Sequence, residues 1–520
     1  MMNRIFVMSI VVALFLNIPQ PSTVSGEESK KGGTLTLAIR KDATVLNPLV
    51  RTISTDKEIR KLMFEPLLGL DLRGIIQPRL AESWEISKDG KTYTFNLRRG
   101  VRFHNGREMT AQDVKFAIDY SLNPKNSAYG LSRLSQIERV EAAEKHVLKV
   151  YLKEPSPSFL SSLTDIRSFA VIPEGSIGAG VTKPTEYPPG TGPFKFVQWK
   201  AKQRIIFDRF NDYWGQKALV DRVILRPIRN ASVRITALRA GDVDMVERTP
   251  YEWVKQIVDG KLKGLSYKRS AHAGFRHITF NVAKPPFNNK KLRQAVAHAL
   301  NKKEIFQAAF FGFGEQTDQK YPKGHVWYME GVPSPSYDLK KAKALLKESG
   351  YKGETIEYST PKGEDTEAAA VAIQSQLKKI GVKVSIKIFG YGAHQDRSRR
   401  GANTMTFSGS GFYPDPSIAY GAELMCEKNL NKRAANFSGY CDKEMDKLLT
   451  MADTETDVAK RKELFRKIVT KMNDDVPYVP VGFVPRFFTL GSHVKGFTTD
   501  AEGGFRWWGG GLNYTWLDRK

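Results

Sequence analysis

Two pairs of titratable residues in this 520-residue chain have a spacing that could support chemistry. Asp242 and Asp244, in the segment GDVDMVE, would share one face of a strand and could act as paired carboxylates in acid–base catalysis. His272 and His277 are close together, but an odd spacing puts them on opposite faces of a strand. We interpret the aspartates as surface acids after a glycine turn, and we expect no metal site at the histidines.

The sequence contains no local motif of a nucleophile, a zinc protease or a phosphate-binding loop. We find no G-x-S-x-G elbow, no H-E-x-x-H and no G-x-x-x-x-G-K-[ST]. Catalytic triads can assemble from residues that are distant in sequence, so a secreted hydrolase stays open as an alternative. Our expectation is a protein that is not an enzyme and that holds no cofactor or metal.

A third candidate for chemistry is the loop FSGSGFYPDPS, residues 407–417. Its glycines and prolines are typical of a turn, and Asp415 is its only carboxylate. The loop could be a catalytic turn, a ligand-binding loop or a flexible connection. For Asp415 we favour an Asx turn, in which the carboxylate caps the loop's own backbone, over a contact with a ligand.

The elements that must position these residues are short strands and amphipathic helices. Apolar periodicity predicts helices within 109–122, 288–306, 366–380 and 457–472, and alternation predicts strands within 30–39, 354–360 and 382–389. Thr110 followed by Asp113 has the pattern of a capping box. The order strand, helix, strand over 354–389 predicts a β-α-β unit and an α/β fold class. Because no linker separates the blocks, we expect the chain to cross between lobes more than once.

Length, charge and the N-terminal pattern limit the class of protein. With 520 residues, 41% hydrophobic, the chain can form two or three lobes. Residues 1–26 combine Arg4, an apolar run and small residues, which predicts a signal peptide and a periplasmic protein. No cysteine lies near the cleavage region, so we do not expect a lipoprotein. The net charge of +26 is spread along the chain, which favours a solvated basic surface over nucleic-acid binding.

The two cysteines, Cys426 and Cys441, are close together in a chain that is predicted to reach an oxidising compartment. The simplest interpretation of such a pair is one disulfide. Two buried free thiols remain the alternative. Metal ligation is disfavoured because the intervening segment NLNKRAANFSGY contains no histidine.

Several blocks, in this order, resemble the extracytoplasmic solute-binding proteins of ABC transporters, family 5, which bind peptides, opines or nickel. The blocks are GGTLTLAIRKDATVLNPL, FEPLLGLD, PRLAESWEISKDGKTYTFNLRRGVRFHNGREMTAQDVKFAID, GTGPFKF, NDYWG, RITALRAGDVDMV, ITFNVAKPPFNNKKLRQAVAHALNKKEI and GYCDKEMDKLL. The resemblance implies an α/β bilobal periplasmic-binding-protein clamp, type II-like, with two large lobes and a small inserted domain. A ligand would bind between the lobes and be enclosed by hinge closure.

The resemblance also implies limits for the domains. We expect a signal peptide at 1–26, lobe I at 27–68, 190–277 and 488–520, the small inserted domain at 69–189, and lobe II at 278–487.

In dipeptide binders of this family, the loop equivalent to 407–417 carries an Asp that holds the ligand's ammonium and a Trp that lines the pocket. Aligning Asp415 with the family's pattern places Phe412 at that Asp and Gly409 at that Trp. The arginine that takes the ligand's carboxylate in those proteins falls on Thr360. Both anchors for a free dipeptide are therefore missing from this sequence.

The ligand-binding residues that we expect are Gly409, Ser410, Phe412, Tyr413, Asp415, Tyr391 and Thr360. The two tyrosines could stack on a solute or donate a hydrogen bond to it, and core packing is the alternative for each of them. The implied function is the substrate-binding component of an ABC importer, which captures a peptide or another small organic solute and delivers it to the permease subunits. The protein would be a monomer that binds no nucleic acid. The alternatives are an oligopeptide binder with a relocated amine contact, the secreted hydrolase, and a protein that binds an anionic polymer.

Overall fold

The computed structural model describes residues 31–50, 54–126, 128, 130–166, 169–178, 187–270, 274–427, 429–430, 433–500, 504–505 and 511–518. The predicted signal peptide, residues 1–26, lies outside these described residues, and so does His272.

Strands and helices alternate through the described part of the chain. The strands are β1 (Thr34–Ile39), β2 (Leu68–Leu70), β3 (Ile76–Pro78), β4 (Ala81–Ile86), β5 (Thr92–Leu97), β6 (Ile137–Glu144), β7 (Val147–Leu152), β8 (Phe194–Lys200), β9 (Arg204–Arg209), β10 (Arg222–Pro227), β11 (Met245–Glu247), β12 (Leu265–Arg269), β13 (Gly274–Phe280), β14 (Glu315–Gln316), β15 (Ile356–Pro361), β16 (Val384–Phe389), β17 (Met405–Ser410), β18 (Tyr478–Val484), β19 (Phe487–Gly491), β20 (Val494–Lys495) and β21 (Trp516–Leu517). The α-helices are α1 (Ser54–Arg60), α2 (Ala111–Leu122), α3 (Leu131–Leu134), α4 (Phe159–Ser162), α5 (Ala231–Ala240), α6 (Tyr251–Val258), α7 (Lys290–Ala299), α8 (Lys302–Phe310), α9 (Leu339–Glu348), α10 (Glu364–Lys378), α11 (Tyr391–Arg399), α12 (Pro416–Leu424), α13 (Lys443–Thr454) and α14 (Val458–Asp475).

The first large sheet has the strand order β12-β19-β11-β1-β10-β9-β8. Its central strands β11, β1 and β10 are parallel, so their carboxyl ends lie along one edge. Leu35 and Leu37 of β1 point into an apolar core that also contains Phe95 of β5. The sheet β4-β5-β7-β6 therefore packs on the same core as the first large sheet.

The second large sheet has the order β14-β18-β13-β17-β15-β16. Its strands β17, β15 and β16 are parallel, and β13 runs antiparallel to β17. The β-α-β unit predicted for 354–389 is confirmed as β15, α10 and β16. Ile373 and Leu377 of α10 pack on this sheet in a second core, separate from the first. The predicted α/β class is confirmed, with one core for each large sheet.

Helix starts follow the local sequence signals. The backbone N–H of Thr110 donates to the carboxylate of Asp113 at 2.8 Å, which confirms the capping box at the start of α2. The side chain of Asn289 accepts from the N–H of Leu292 and caps α7. These ends could be predicted because a cap depends only on residues three positions apart.

The chain crosses between the two large sheets at two neighbouring places. It leaves the first sheet after Arg269 and enters the second at Gly274, and it returns between Val484 and Phe487. The N–H of Ser270 donates to the carbonyl of Arg486 at 3.0 Å, and the N–H of Arg486 donates to Oγ of Ser270 at 2.9 Å. The two crossings therefore lie side by side, joined by hydrogen bonds.

The two cysteines form the predicted disulfide, Cys426–Cys441, which follows α12 and closes a segment with a sequence separation of 15. In the chain-entropy model, a loop of this length stabilises the native state by about 3 kcal/mol. We expect the double variant Cys426→Ser/Cys441→Ser to lose about that free energy of unfolding in urea titrations. The wild-type protein with a reducing agent should lose the same amount, and an unchanged midpoint in both would contradict the prediction.

Two buried histidines predict a loss of stability in acid. Burial lowers the pKa of His104, whose Nε2 is 3.0 Å from the Gly192 carbonyl, to about 4. Burial also lowers the pKa of His277 to about 4. Both are neutral in the folded state, whereas the unfolded chain binds their protons below about pH 6.5, so stability should fall as the pH drops from about 6.5 towards 4.

The expected loss at pH 4 is at most about 3 kcal/mol for each histidine. The measurement is the free energy of unfolding between pH 7.5 and 4 for the wild type, His104→Gln and His277→Gln. Each variant should show a flatter pH dependence, whatever its stability at pH 7.5. A slope that is the same in all three proteins would show that these histidines do not control the acid response.

Candidate functional site

The carboxyl ends of parallel strands from the two large sheets lie close to each other, and we call the region between them the cleft. Lys41, which follows β1 of the first sheet, has its Nζ 5.8 Å from the centre of the Tyr391 ring. Tyr391 begins α11, directly after β16 of the second sheet, and 64% of it is exposed. Ligand sites of open α/β sheets lie outside the carboxyl ends of the strands, which makes this cleft the candidate site.

Arginines follow three neighbouring strands at the first sheet's edge of the cleft. Arg248 comes directly after β11, Arg40 directly after β1, and Arg229 two residues after β10. Because these strands are adjacent in the order β11-β1-β10, with neighbouring strands about 5 Å apart, the three residues form one basic row.

A single buried carboxylate lies within this row. Glu247, whose side chain is 4% exposed, accepts hydrogen bonds from the backbone N–H of Arg40 at 3.3 Å and from Nε of Arg248 at 3.2 Å. Burial lowers the pKa of the Arg40 guanidinium, and repulsion by Arg248 lowers it further. The pKa of Lys41 is lowered by burial and by repulsion from Arg40, Arg229 and Arg248. This edge of the cleft is therefore positively charged.

Arg276 of β13 is the basic residue on the second sheet's side. The strand register pairs it with Gly409 of β17 on one side and Gly482 of β18 on the other. A Cβ atom on Gly409 would lie 2.7 Å from Nη1 of Arg276 and 2.8 Å from the carbonyl oxygen of Phe275. Glycine is thus required at 409 because a side chain there would collide with the Phe275 carbonyl oxygen and would displace the guanidinium of Arg276.

The loop 407–417 bridges the second large sheet and the segment that contains β2 and β3. Phe412 is only 3% exposed, and its ring packs edge-on against Tyr321 and His325. The same ring covers Gly74 in the turn after β2, where a Cβ atom would lie 2.2 Å from it. Arg133 of α3 lies 5.6 Å from the centre of the Tyr413 ring.

Asp415 has a structural role in this loop. It is the N-cap of α12, and Oδ1 accepts from the N–H of Ser417 at 2.9 Å. Both carboxylate oxygens also accept from Arg461 of α14, at 2.7 and 2.8 Å. The capping role favoured from the sequence is therefore present, with a buried ion pair that the sequence did not indicate.

The other expected site residues lie in different surroundings. Thr360 is fully buried, and its hydroxyl donates to the carbonyl of Thr366 at 3.3 Å. Oγ of Ser410 lies 3.5 Å from Nζ of Lys320, a buried lysine that pairs with Glu423 at 2.5 Å. The structure thus groups Phe412, Tyr413 and Asp415 in one loop. It places Thr360 in β15, between β17, which contains Gly409 and Ser410, and β16, which precedes Tyr391, but the Thr360 side chain is buried.

Asp244, in the GDVDMVE segment, is buried in the structure, whereas the sequence analysis placed it on the surface. Its carboxylate is buried, accepts from the backbone N–H of Thr36 at 2.7 Å and lies 2.7 Å from Nε2 of His493. The surface interpretation holds for Asp242, which is exposed, but was wrong for Asp244, because β11 enters the first sheet immediately after it. Asp244 joins β1 to the C-terminal part of the chain.

The basic residues of the cleft were missed by the sequence analysis. Arg40, Arg248 and Arg276 each adjoin or interrupt an apolar run, in AIR, MVER and GFRHITF. A signal was therefore available, since an arginine at the carboxyl end of a predicted parallel strand is a candidate ligand contact. Which strands are parallel neighbours could not be predicted from the sequence.

Within the part of the chain that the structure describes, no three or more histidine, cysteine, aspartate or glutamate side chains are arranged to hold a metal ion. The described helices include none with the length and apolar character needed to cross a membrane.

Comparison with known proteins places the chain in a family. The family model of bacterial extracellular solute-binding proteins, family 5 Middle, matches residues 76–429. Di/tripeptide-binding protein 1 of Pseudomonas aeruginosa is 31% identical over 473 residues, which cover 84% of this chain and 86% of that protein. Heme-binding protein A of Haemophilus influenzae is 30% identical over 457 residues, which cover 82% of each.

The solved structures include the ABC transporter substrate-binding protein CtaP of Listeria monocytogenes, which has a TM-score of 0.85 and 26% identity. The match covers 94% of this chain and 100% of that chain. The predicted resemblance and the bilobal clamp fold are confirmed by these similarities. The chain therefore belongs to the bacterial extracellular solute-binding proteins of family 5.

Proposed function

We propose that this protein is the substrate-binding component of an ABC importer, which encloses a small organic solute between its two lobes and delivers it to a membrane permease. The observation that carries the proposal is the cleft between the carboxyl edges of two large sheets, which are connected by adjacent crossings of the chain. The family is one of solute-binding proteins, which supports binding without catalysis. The relatives are named for di- and tripeptides and for heme, so the family alone does not identify the solute.

Closure would take place by rotation about the two crossings at Ser270 and Arg486. Contacts that would break on opening include Phe412 against Gly74 and the hydrogen bond from Ser158 to Asp453 at 3.3 Å. These contacts are few compared with the separate cores on either side, as hinge motion requires.

The proposal also includes the more specific expectations from the sequence. Export after removal of residues 1–26, a periplasmic location and a monomeric state are part of it. Gly409, Ser410, Phe412, Tyr413 and Tyr391 are proposed to shape the ligand site, with Asp415 fixing their loop. The domain limits given above are proposed as well, with one change. Because β13 (Gly274–Phe280) belongs to the second sheet, lobe II is taken to begin at Gly274 rather than at 278, so that Arg276 belongs to lobe II.

The test combines identification of a solute with measurement of closure. Native mass spectrometry of freshly purified protein, followed by mass spectrometry of the released small molecules, identifies what co-purifies. Spin labels on Glu144→Cys and Glu463→Cys, which are exposed positions of β6 and α14, report the distance between the lobes. We expect the distance to increase when the solute is removed and to decrease when it is added back.

A panel of peptides, opines and sugars in a thermal-shift assay completes the test, because a ligand at 100 times its Kd stabilises the folded state by about 2.7 kcal/mol. If no small molecule stabilises the fold or changes the distance between the lobes, but RNA does, the importer proposal is wrong.

A further inference from the structure

We propose, resting on the proposed function, that the solute is an organic anion whose carboxylate or phosphate oxygens are bound between Arg40 and Arg248 of one lobe and Arg276 of the other. Arg40 and Arg248 follow the adjacent strands β1 and β11 of the first sheet, and Arg276 lies in β13 of the second, so the three arginines come from two sheets and from separate parts of the sequence. The cleft is the place where they meet.

Electrostatic interactions between the two lobes indicate that the three arginines lie near one another. The guanidinium of Arg40 interacts electrostatically with Tyr391 and Asp365 of the second lobe. Tyr251, in the first lobe, interacts with Arg276 and Asp365 as well as with Arg248. Arg40 and Arg248 therefore belong to the same electrostatic environment as Arg276, although the lobes contribute them separately.

Two of the three arginines, Arg40 and Arg276, have a hydrogen-bond donor that is not used among the described residues. Nε of Arg40 and Nε of Arg276 are buried, and each is without a hydrogen-bond partner among the described residues. A guanidinium carries five N–H donors and keeps its charge, so a buried donor without an acceptor is costly. An oxyanion bound in the cleft would supply the acceptors.

The nearby carboxylates do not balance the charge. The basic groups that interact here are Arg40, Lys41, Arg229, Arg248, Arg276 and Arg486, with six positive charges. The acidic groups are Glu247, Asp365, Glu252 and Glu364, with four negative charges, which leaves 6 − 4 = +2 for these ten groups. Glu247 already accepts two hydrogen bonds from the first lobe. Asp365 is 4.0 Å from Arg276, beyond hydrogen-bond distance.

The shape of the sheet also favours an oxyanion. Gly409, which pairs with Arg276 in the strand register, leaves the space in which the planar guanidinium lies over β17. A planar guanidinium binds carboxylate or phosphate through two parallel hydrogen bonds, which an ammonium cannot do. Gly409 is therefore a specificity residue, because any side chain there would displace the guanidinium of Arg276.

Binding of an anion would also favour closure of the two lobes. Closing the lobes brings Arg276 towards Arg40 and Arg248, and this like-charge repulsion opposes closure when the space is empty. A bound oxyanion interacts favourably with all three arginines only in the closed state, so it shifts the population towards closure. A neutral solute would leave the repulsion in place.

The test compares Arg40→Gln and Arg276→Gln with two control variants that remove the same charge outside the cleft. The controls are Arg222→Gln in the first lobe and Arg400→Gln in the second, which break exposed ion pairs to Asp208 and Asp396. Arg276→Lys keeps the charge but removes the planar group. Circular dichroism and the Tm in sodium chloride establish that each variant is folded.

The probes are citrate and inorganic phosphate, compared with chloride at constant ionic strength by thermal shift and calorimetry. We expect one of the two probes to stabilise the wild type and both controls beyond the effect of chloride. Its affinity should fall about tenfold or more in Arg40→Gln and Arg276→Gln, as expected for lost hydrogen bonds between charged groups, and less in Arg276→Lys. A response to phosphate alone would indicate a phosphate-bearing solute, and a response to citrate alone a carboxylate-bearing one.

Equal stabilisation of all variants would indicate a general salt effect and would overturn the anion proposal, as would no stabilisation by either probe. The co-purified solute separates this proposal from the importer proposal. A neutral or cationic solute that closes the lobes with equal affinity in the wild type, Arg40→Gln and Arg276→Gln would refute the anion and leave the importer standing. If no solute closes the lobes, the importer proposal itself fails.

Discussion

The substitution Glu65→Ala is expected to lower the free energy of unfolding by about 3–5 kcal/mol, because it removes the acid from a buried ion pair. Glu65 is fully buried and forms an ion pair with Arg79. Its carboxylate also accepts from the hydroxyl of Tyr213 and from Nε1 of Trp214, each at 2.9 Å. Alanine would leave three buried donors without this acceptor.

The measurement is urea-induced unfolding of Glu65→Ala, Glu65→Gln and Glu82→Ala. Glu65→Gln keeps one oxygen, which can accept from Tyr213 or from Trp214 but not from both, and it loses the charge. Its loss of stability should therefore be smaller than that of the alanine variant but still clear. Glu82 is half-exposed and lies 4.0 Å from Arg98, so its removal should change stability by less than about 1 kcal/mol. A Glu65→Ala protein as stable as the Glu82→Ala control would show that the network contributes little.

The second large effect is expected at the ion pair that holds the loop 407–417. Asp415→Ala should cost about 3–5 kcal/mol, because Arg461 is 3% exposed and would lose its bidentate acid partner. Arg461→Ala should cost a similar amount. The double variant should lose less than the sum of the two single losses, because neither charge is then left without its partner.

Two controls separate the structural role of Asp415 from direct binding. Arg466→Ala, on the exposed side of α14, should be close to neutral, because its pair with Glu463 is exposed. Asp415→Asn keeps an oxygen for the N–H of Ser417 and should lose less stability than the alanine variant. If Asp415→Ala unfolds like the wild type and only weakens binding of the co-purified solute, Asp415 acts through ligand contact and this prediction is wrong.

The two networks show what local sequence signals can and cannot indicate. Glu65, Arg79 and Tyr213 lie in the separate blocks FEPLLGLD, PRLAESW and NDYWG, which carried the family resemblance. Their sequence separations of 14 and 148 residues are bridged only when the strands between them have paired. The blocks were recognisable, but their shared role as one buried network was not.

In the loop 407–417, the sequence was sufficient to predict the helix cap but not the packing of the side chains. The PDP pattern was sufficient to place Asp415 at a helix start, because a cap involves neighbours in sequence. It could not indicate that Phe412 would cover Gly74, more than three hundred residues away, in another part of the fold. Whether an aromatic side chain packs in a core or lines a pocket depends on what the rest of the chain places beside it.

Five features could be predicted from the sequence: the α/β class, the β-α-β unit of residues 354–389, the helix caps, the disulfide and the family. Each of these depends on a period, a neighbouring residue or a sufficiently long set of motifs. The burial of Asp244 and the common electrostatic environment of Arg40, Arg248 and Arg276 became visible only in the folded chain. The physical reason is that strand order and parallel pairing bring distant strand ends to one edge, and no local period encodes which strands become neighbours.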